Sequence, residues 1–424
     1  MVSKELRGYQ VDSANKGYAI LKELGIVYLA MQVRCGKTAT ALEICKLHGA
    51  KKVLFLTKKK AISSIQQDYV DFGYDLWFEI MIVNDESMHK IEDPKSFDLV
   101  IHDENHRFGS LCKPGKYTKM FRELFFDKPM IFLSGTMCPE SFSQIYHQFW
   151  VSSRSPWSHY RNFYKWAADY VNVKQRKINS FMVNDYSDGI EDKIMGDVSK
   201  YMITFTQEQA GFQSVIEEKV LHVKMLQKTY DIANRLLKDL VVEGKEEVIL
   251  ADTPAKLLQK IHQLYSGTIK FESGKSMVID TTKAEFIRSQ FATSKIGIFY
   301  VFKAELEALK QIYGDDLTTD IDEFNSTNKS IALQIVSGRE GISLKNAEYL
   351  VFYNIQHSAV SYFQGIDRMT TINRLNNKVF WIFSEGGIED KIYKVVKSKK
   401  KYTTNIFKKD YEAVIKQQER HGTH

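Results

Sequence analysis

The chain has 424 residues, 44% of them hydrophobic and 26% charged, which excludes a disordered polymer and leaves room for two or three domains, each with its own core. Fifty-nine Lys and Arg against 52 Asp and Glu give a net charge of only +7, so a polyanionic partner is permitted but not required. The four cysteines, Cys35, Cys45, Cys112 and Cys138, form no CxxC pair and have no histidine at metal-ligand spacing, which argues against a zinc site or a disulfide framework.

Taken in chain order, Val27–Ala30 reads as a short buried strand and Thr38–Leu47 as a helix of good formers, so Gly36-Lys37-Thr38 falls at a strand-to-helix turn. Backbone N–H groups at a helix start point at anions. There Lys37 would sit on the outer phosphate oxygens of a nucleotide and the Thr38 hydroxyl would ligate Mg²⁺. The phosphate-loop pattern GxxxxGK[ST] puts its first glycine where this chain has Met31. A GKT tripeptide alone describes an ordinary helix N-terminus equally well. Val53–Thr57 is a second strand, followed by Lys58-Lys59-Lys60, three ammonium groups that suit backbone phosphates or, as readily, a solvated helix start.

Phe97–His102 is a continuous apolar run of the kind buried in a parallel sheet, and Asp103 and Glu104 come where it ends. Asp103 would hold Mg²⁺ through its water shell, while Glu104 would orient and deprotonate the attacking water. The other reading is a solvated, charge-rich turn, which the GKT upstream argues against. Later strands end in the same way. Met130–Leu133 runs into Ser134-Gly135-Thr136, Ile296–Phe302 into Lys303, and Ile331–Val336 into Ser337–Gly341. Small, polar and charged groups at the carboxyl ends of strands predict a functional rim across two sheets.

Between these motifs, Val151 to about Lys200 has helical periodicity and no motif. Its aromatic residues Trp157, Tyr160, Phe163, Tyr164, Trp166 and Tyr170 recur at spacings that describe a buried helix face better than a base-stacking platform. Tyr201–Thr206 is expected to return to the first sheet, and Val220–Val223 to enter the second domain before a helix over Lys228–Leu240. Asp280 is expected to cap a helix. Lys397–Lys401, with four lysines in five residues, reads as a solvated face. No segment reaches about 18 apolar residues, and the N-terminus lacks a signal-peptide core, so a soluble cytoplasmic protein without a membrane partner is expected.

The order and spacing of these motifs resemble superfamily 2 helicases, most closely their Swi/Snf-like branch, including compact phage-encoded members, which would work in a host cytoplasm. Leu6–Gln10 is similar to the adenine-reading segment, Arg34–Thr38 to motif I, Val53–Thr57 to motif Ia, and Ser134–Thr136 to motif III. Asp103–His106 resembles the DEAH box with Asn105 in place of alanine, Ser337–Leu344 motif V, and Gln364–Arg368 motif VI. The resemblance covers nearly the whole chain, and motifs I, II and VI are its specific part.

The resemblance implies an α/β fold of two tandem RecA-like P-loop domains with parallel sheets. The first would span 1–218 with a helical extension at about 151–200, and the second 219–400, before a basic tail at 401–424. ATP with Mg²⁺ would lie in the cleft and nucleic acid across both domains. On this reading Arg7, Gln10, Arg34, Gly36, Lys37, Thr38, His106 and Gly341 face the nucleotide, and Thr38 and Asp103 the metal. Lys37, Asp103, Glu104, Gln364 and Arg368 carry catalysis, with His106 sensing the γ-phosphate through Gln364 and Arg368 acting as an arginine finger. Thr57, Lys58, Ser134, Thr136, Lys303 and Ser337 would face nucleic acid.

Motif VI departs from the family pattern of two arginines three positions apart, because the second place is Thr371. A finger is worth about 10³ to 10⁵ in rate in other NTPases, so this departure points to slow hydrolysis unless Arg374, one helical turn further on, takes the role. The function implied is an ATP-dependent DNA helicase or translocase acting on single-stranded, duplex or branched DNA rather than RNA, with replication or recombination proteins as further partners. Two rivals stay open: an ATP-binding nucleic-acid clamp or regulator with weak hydrolysis, and a small-molecule P-loop kinase indifferent to nucleic acid.

Overall fold

The computed structural model describes residues 4–178, 181–212, 215–243, 247–335, 344–366, 369 and 376–397. These form two compact units that divide in sequence between Gly211 and Phe212.

The first unit is built on a six-stranded sheet of β1 (Ile26–Met31), β2 (Lys52–Thr57), β3 (Glu79–Asn84), β4 (Leu99–Asp103), β5 (Met130–Leu133) and β8 (Met202–Phe205), in the order β3-β2-β4-β5-β1-β8. Every neighbouring pair is parallel. The strands are apolar on both faces because both faces are covered. Tyr28, Ala30, Leu54, Leu56, Val100 and Phe132 enter one core, and the alternating Val27, Leu29, Val53, Phe55, Ile101 and Ile131 enter another.

Between β5 and β8 the chain makes the helices Phe163–Tyr170 and Glu191–Val198. It also makes an antiparallel hairpin, β6 (Lys174–Ile178) with β7 (Phe181–Asp185), which the helical periodicity of this stretch does not anticipate. Trp157, Phe163, Trp166 and Tyr170 are buried there, while Tyr164 is 46% exposed. The Trp157 indole and the Tyr170 hydroxyl both donate to Asp197, at 2.9 and 2.6 Å. The aromatic series therefore packs a core, apart from Tyr164.

The second unit repeats the plan. Its strands are β9 (Val215–Val223), β10 (Val241–Glu243), β11 (Val248–Leu250), β12 (Thr268–Lys270), β13 (Ser276–Val278), β14 (Ile296–Tyr300), β15 (Leu317–Thr318), β16 (Ser330–Gln334), β17 (Tyr349–Phe352) and β18 (Asn376–Ser384). Six of them form a sheet in the order β15-β16-β14-β17-β18-β9, again parallel throughout, and β10-β11 and β12-β13 are small antiparallel ribbons. Two RecA-like α/β units thus stand in tandem along the chain.

The strand β14 stops at Tyr300, two residues short of the apolar run. The buried Glu305 carboxylate accepts from the Val301 and Phe302 amides at 2.6 and 3.0 Å, starting the helix Lys303–Tyr313. Asp280 accepts from the Thr282 amide at 3.0 Å and from the Leu226 amide at 2.8 Å, so it ties two helix starts rather than one. Among the described residues no helix is long and apolar enough to cross a membrane.

Candidate active site

The Gly36-Lys37-Thr38 loop follows β1. Met31 is fully buried and pairs with Phe205 of β8, so it belongs to the strand and its backbone has no need of a glycine. The left-handed turns come later, at Arg34 (φ 66°) and Gly36 (φ 76°). For Arg34 that conformation costs roughly 1–2 kcal/mol. Gly36 caps the helix α2 (Lys37–His48) from the left-handed region, and a Cβ there would stand 1.9 Å from Gln10 Nε2. Gly36 is favoured by its positive φ, and a side chain there would also displace the Gln10 amide from the loop.

Gln10 lies in the first turn of α1 (Gly8–Leu24). Its Oε1 accepts from the Arg7 amide at 2.8 Å and its Nε2 donates to the Gly36 carbonyl at 3.5 Å, so the helix start is bound to the loop. The neighbouring Tyr9 ring is stacked on Phe205 with centroids 4.5 Å apart. Arg7, Tyr9, Gln10, Arg34, Lys37 and Thr38 line one cavity of about 510 Å³. The Lys37 ammonium donates to the Met31 and Gln32 carbonyls at 3.1 and 3.2 Å. These contacts hold the ammonium over the loop, from which it can exchange neutral carbonyls for phosphate oxygens.

The acidic pair closes β4, on the same carboxyl edge of the sheet. Asp103 is the last residue of the strand, and its Oδ2 accepts from the Thr57 hydroxyl at 2.9 Å across the neighbouring β2. Its Oδ1 accepts from the Glu104 amide at 2.9 Å. Glu104 takes φ 52°, a left-handed backbone that turns the chain sharply into the short 3₁₀ turn Asn105–Phe108. Its Oε2 lies 3.1 Å from His106 Nδ1, and the same nitrogen lies 2.9 Å from the Ser134 hydroxyl and 3.5 Å from that of Thr136.

Burial, and then the negative charge of Glu104, push the Asp103 carboxyl above its ordinary range, against the Thr57 bond and the Lys37 ammonium. Burial pushes Glu104 up as well, but His106, Lys37 and Lys58 more than reverse this and leave it below the usual carboxylate range. Adjacent carboxylates driven apart in this way suit unlike roles, and Glu104 keeps its charge at neutral pH. Among the described residues no three His, Cys, Asp or Glu side chains gather to cage an ion. One hydroxyl, Thr38, and one carboxylate, Asp103, on the same sheet edge are oxygen donors of the kind that could hold Mg²⁺, which keeps waters and takes further oxygens from its substrate.

No family model matches this chain. No curated protein matches it. It is similar in fold to the Sulfolobus solfataricus SWI2/SNF2 ATPase core in complex with dsDNA, at 14% identity and TM-score 0.44, over 96% of this chain and 93% of that one. It is also similar to the Pyrococcus furiosus Hef helicase domain, at 14% identity and TM-score 0.48, over 93% and 99%.

Arg7, Gln10, Arg34, Gly36, Lys37 and Thr38 are thus gathered around one cavity, and Asp103, Glu104, His106, Ser134 and Thr136 are joined around a second cluster on the same sheet edge. Ser134 and Thr136 are 0% and 4% exposed, so they meet His106 rather than an open surface. Thr57, only 1% exposed, likewise serves Asp103. Lys58 stands just before the short turn Lys59–Ala61 and lends its charge to Glu104. Lys303 is exposed at the start of its helix. Ser337, Gly341, Arg368, Thr371, Arg374 and the Gln364 side chain lie outside the described residues.

Sequence reasoning does not anticipate the Thr57 bond to Asp103. The only local signal for it is a hydroxyl residue at the end of an apolar strand. Thr57→Val keeps the side-chain shape and removes that bond. It is expected to lower ATP turnover, or raise the Mg²⁺ concentration needed for half-maximal turnover, by about 10-fold or more. Turnover titrated with Mg²⁺ in the variant and the wild type checks this.

Proposed function

We propose that the chain is a DNA-dependent ATPase that works as a helicase or translocase. The observation that carries this reading is the convergence on one parallel-sheet edge of a lysine-bearing loop, a nucleotide-sized cavity and the buried acidic pair Asp103-Glu104 with its Thr57 and His106 partners. The cavity, with Arg7, Tyr9 and Gln10 on one side and Lys37 and Thr38 on the other, would hold the base and the phosphates of ATP. Mg²⁺ bound by Thr38 and Asp103 would offset charge on the β- and γ-phosphates. Glu104 would take a proton from the water that attacks the γ-phosphorus, while the bond to the ADP oxygen breaks.

The DNA part of the proposal rests on the second RecA-like unit and on the motif V and VI segments, Ser337–Leu344 and Gln364–Arg368, which a small-molecule kinase does not need. Arg368 would complete the site as a finger, and Lys58 and Lys303 would meet backbone phosphates. The test is ATP turnover without polymer and with single-stranded, duplex and forked DNA or RNA. Turnover that rises many-fold with DNA supports the motor. Feeble turnover that ignores every polymer would favour the clamp, and brisk turnover that ignores them the kinase.

A further inference from the structure

The acidic box stands on a buried polar network that reaches beyond the motifs to Asp85 and Arg107. Asp85, 1% exposed, opens the 3₁₀ turn Asp85–Lys90 directly after β3. Because β2 lies between β3 and β4 in the sheet, Asp85 reaches over the end of β2 to meet the residues that flank Asp103 and Glu104. Its Oδ1 lies 3.3 Å from His102 Nε2, and its Oδ2 lies 2.6 Å from Arg107 Nη1, an ion pair. His102 Nδ1 in turn lies 2.7 Å from the Asn105 amide oxygen, and the imidazole is stacked on Phe108 with centroids 3.8 Å apart. His102 and Asn105 are both fully buried.

One carboxylate therefore holds three points around the acidic pair: the residue before Asp103, and, directly or through His102, two residues of the turn after Glu104. The turn needs holding. Glu104 is a non-glycine residue at φ 52°, a conformation that costs on the order of 1–3 kcal/mol and persists only where its surroundings impose it. Burial pushes the Asp85 carboxyl up, but His102, Arg107 and Lys58 hold it below its ordinary range, so the anchor is a charged one.

We propose that Asp85 is a positioning residue for ATP hydrolysis, and that Asn105, where the DEAH pattern has alanine, is its means of aiming Glu104. Asp85 does not touch the nucleotide. It sets the strand end and the turn between which Glu104 is strung. The inference rests on the hydrolase reading of the same site. A displacement of about 1 Å at a catalytic group can cost about 10²-fold in rate, so loosening this turn acts on turnover and spares nucleotide binding, which belongs to the loop and the cavity.

The experiment compares Asp85→Asn, Asn105→Ala and Arg107→Lys in the full chain, by steady-state ATP hydrolysis at saturating DNA and by backbone amide exchange of the segment 104–108. Asp85→Asn is expected to lower kcat about 10- to 100-fold with KM for ATP within about 3-fold. Asn105→Ala is expected to lower kcat in the same sense by a smaller factor, and Arg107→Lys, which keeps the charge, to retain most of the activity. Exchange over 104–108 should quicken in the first two variants while β4 stays protected. Unchanged kcat and exchange in both variants overturn the proposal, as does a loss of activity that falls wholly on KM. If Asp85→Asn does not fold, Asn105→Ala carries the test. If the wild type hydrolyses no ATP, the hydrolase reading fails, and unchanged exchange would still refute the network separately.

Discussion

Glu104→Gln is expected to lower ATP turnover by about 10² to 10⁴ while ATP affinity stays close to that of the wild type. Glu104 directly follows the last residue of β4, and His106, Lys37 and Lys58 keep it ionised against the effect of burial. Glutamine preserves its length and most of its packing but cannot accept a proton from water. The phosphate loop, the cavity and the Thr57-Asp103 pair are untouched, so the variant should bind ATP and stall before cleavage. Single-turnover hydrolysis alongside binding of a fluorescent ATP analogue separates the two effects. A variant with normal turnover would remove Glu104 from the chemistry, and one that fails to bind ATP would make it a ligand instead of a base.

Arg368→Ala is expected to cost about 10³-fold or more in DNA-stimulated turnover, the scale of an arginine finger. The proposal is that a guanidinium from the second unit meets charge developing on the phosphates, so its removal should leave ATP binding nearly intact and abolish the response to DNA. Arg374→Ala tests whether the arginine missing at Thr371 is replaced one turn later. If turnover is unchanged in Arg374→Ala and lost in Arg368→Ala, Arg368 acts alone. A comparable loss in both makes Arg374 a second finger.

Strand ends carry most of what could be read in advance. Gly36-Lys37-Thr38, Asp103-Glu104 and Ser134-Gly135-Thr136 each follow an apolar run, and in a parallel sheet apolar runs end on a common edge, so local pattern alone brings these groups to one rim. The strand after Tyr201 was equally open to reading, since an apolar run can enter a covered sheet with no local partner. The contacts that aim the site were not readable. Thr57 to Asp103, Asp85 to His102 and Gln10 to Gly36 join residues distant in sequence, and each depends on which strands become neighbours.

The absent glycine at Met31 misleads for a related reason. Sequence shows a broken pattern, whereas the backbone keeps Met31 in the strand and takes its left-handed turn at Arg34. The hairpin of β6 and β7 was hidden because strands as short as Lys174–Ile178 with polar residues on both faces leave no apolar alternation to detect.

The most direct test of the account is ATP hydrolysis by the full chain with and without DNA, with Lys37→Ala as the blank. Mg²⁺-dependent turnover should rise many-fold on adding DNA and vanish in Lys37→Ala. Turnover indifferent to DNA, or surviving the loss of the Lys37 ammonium, would contradict it.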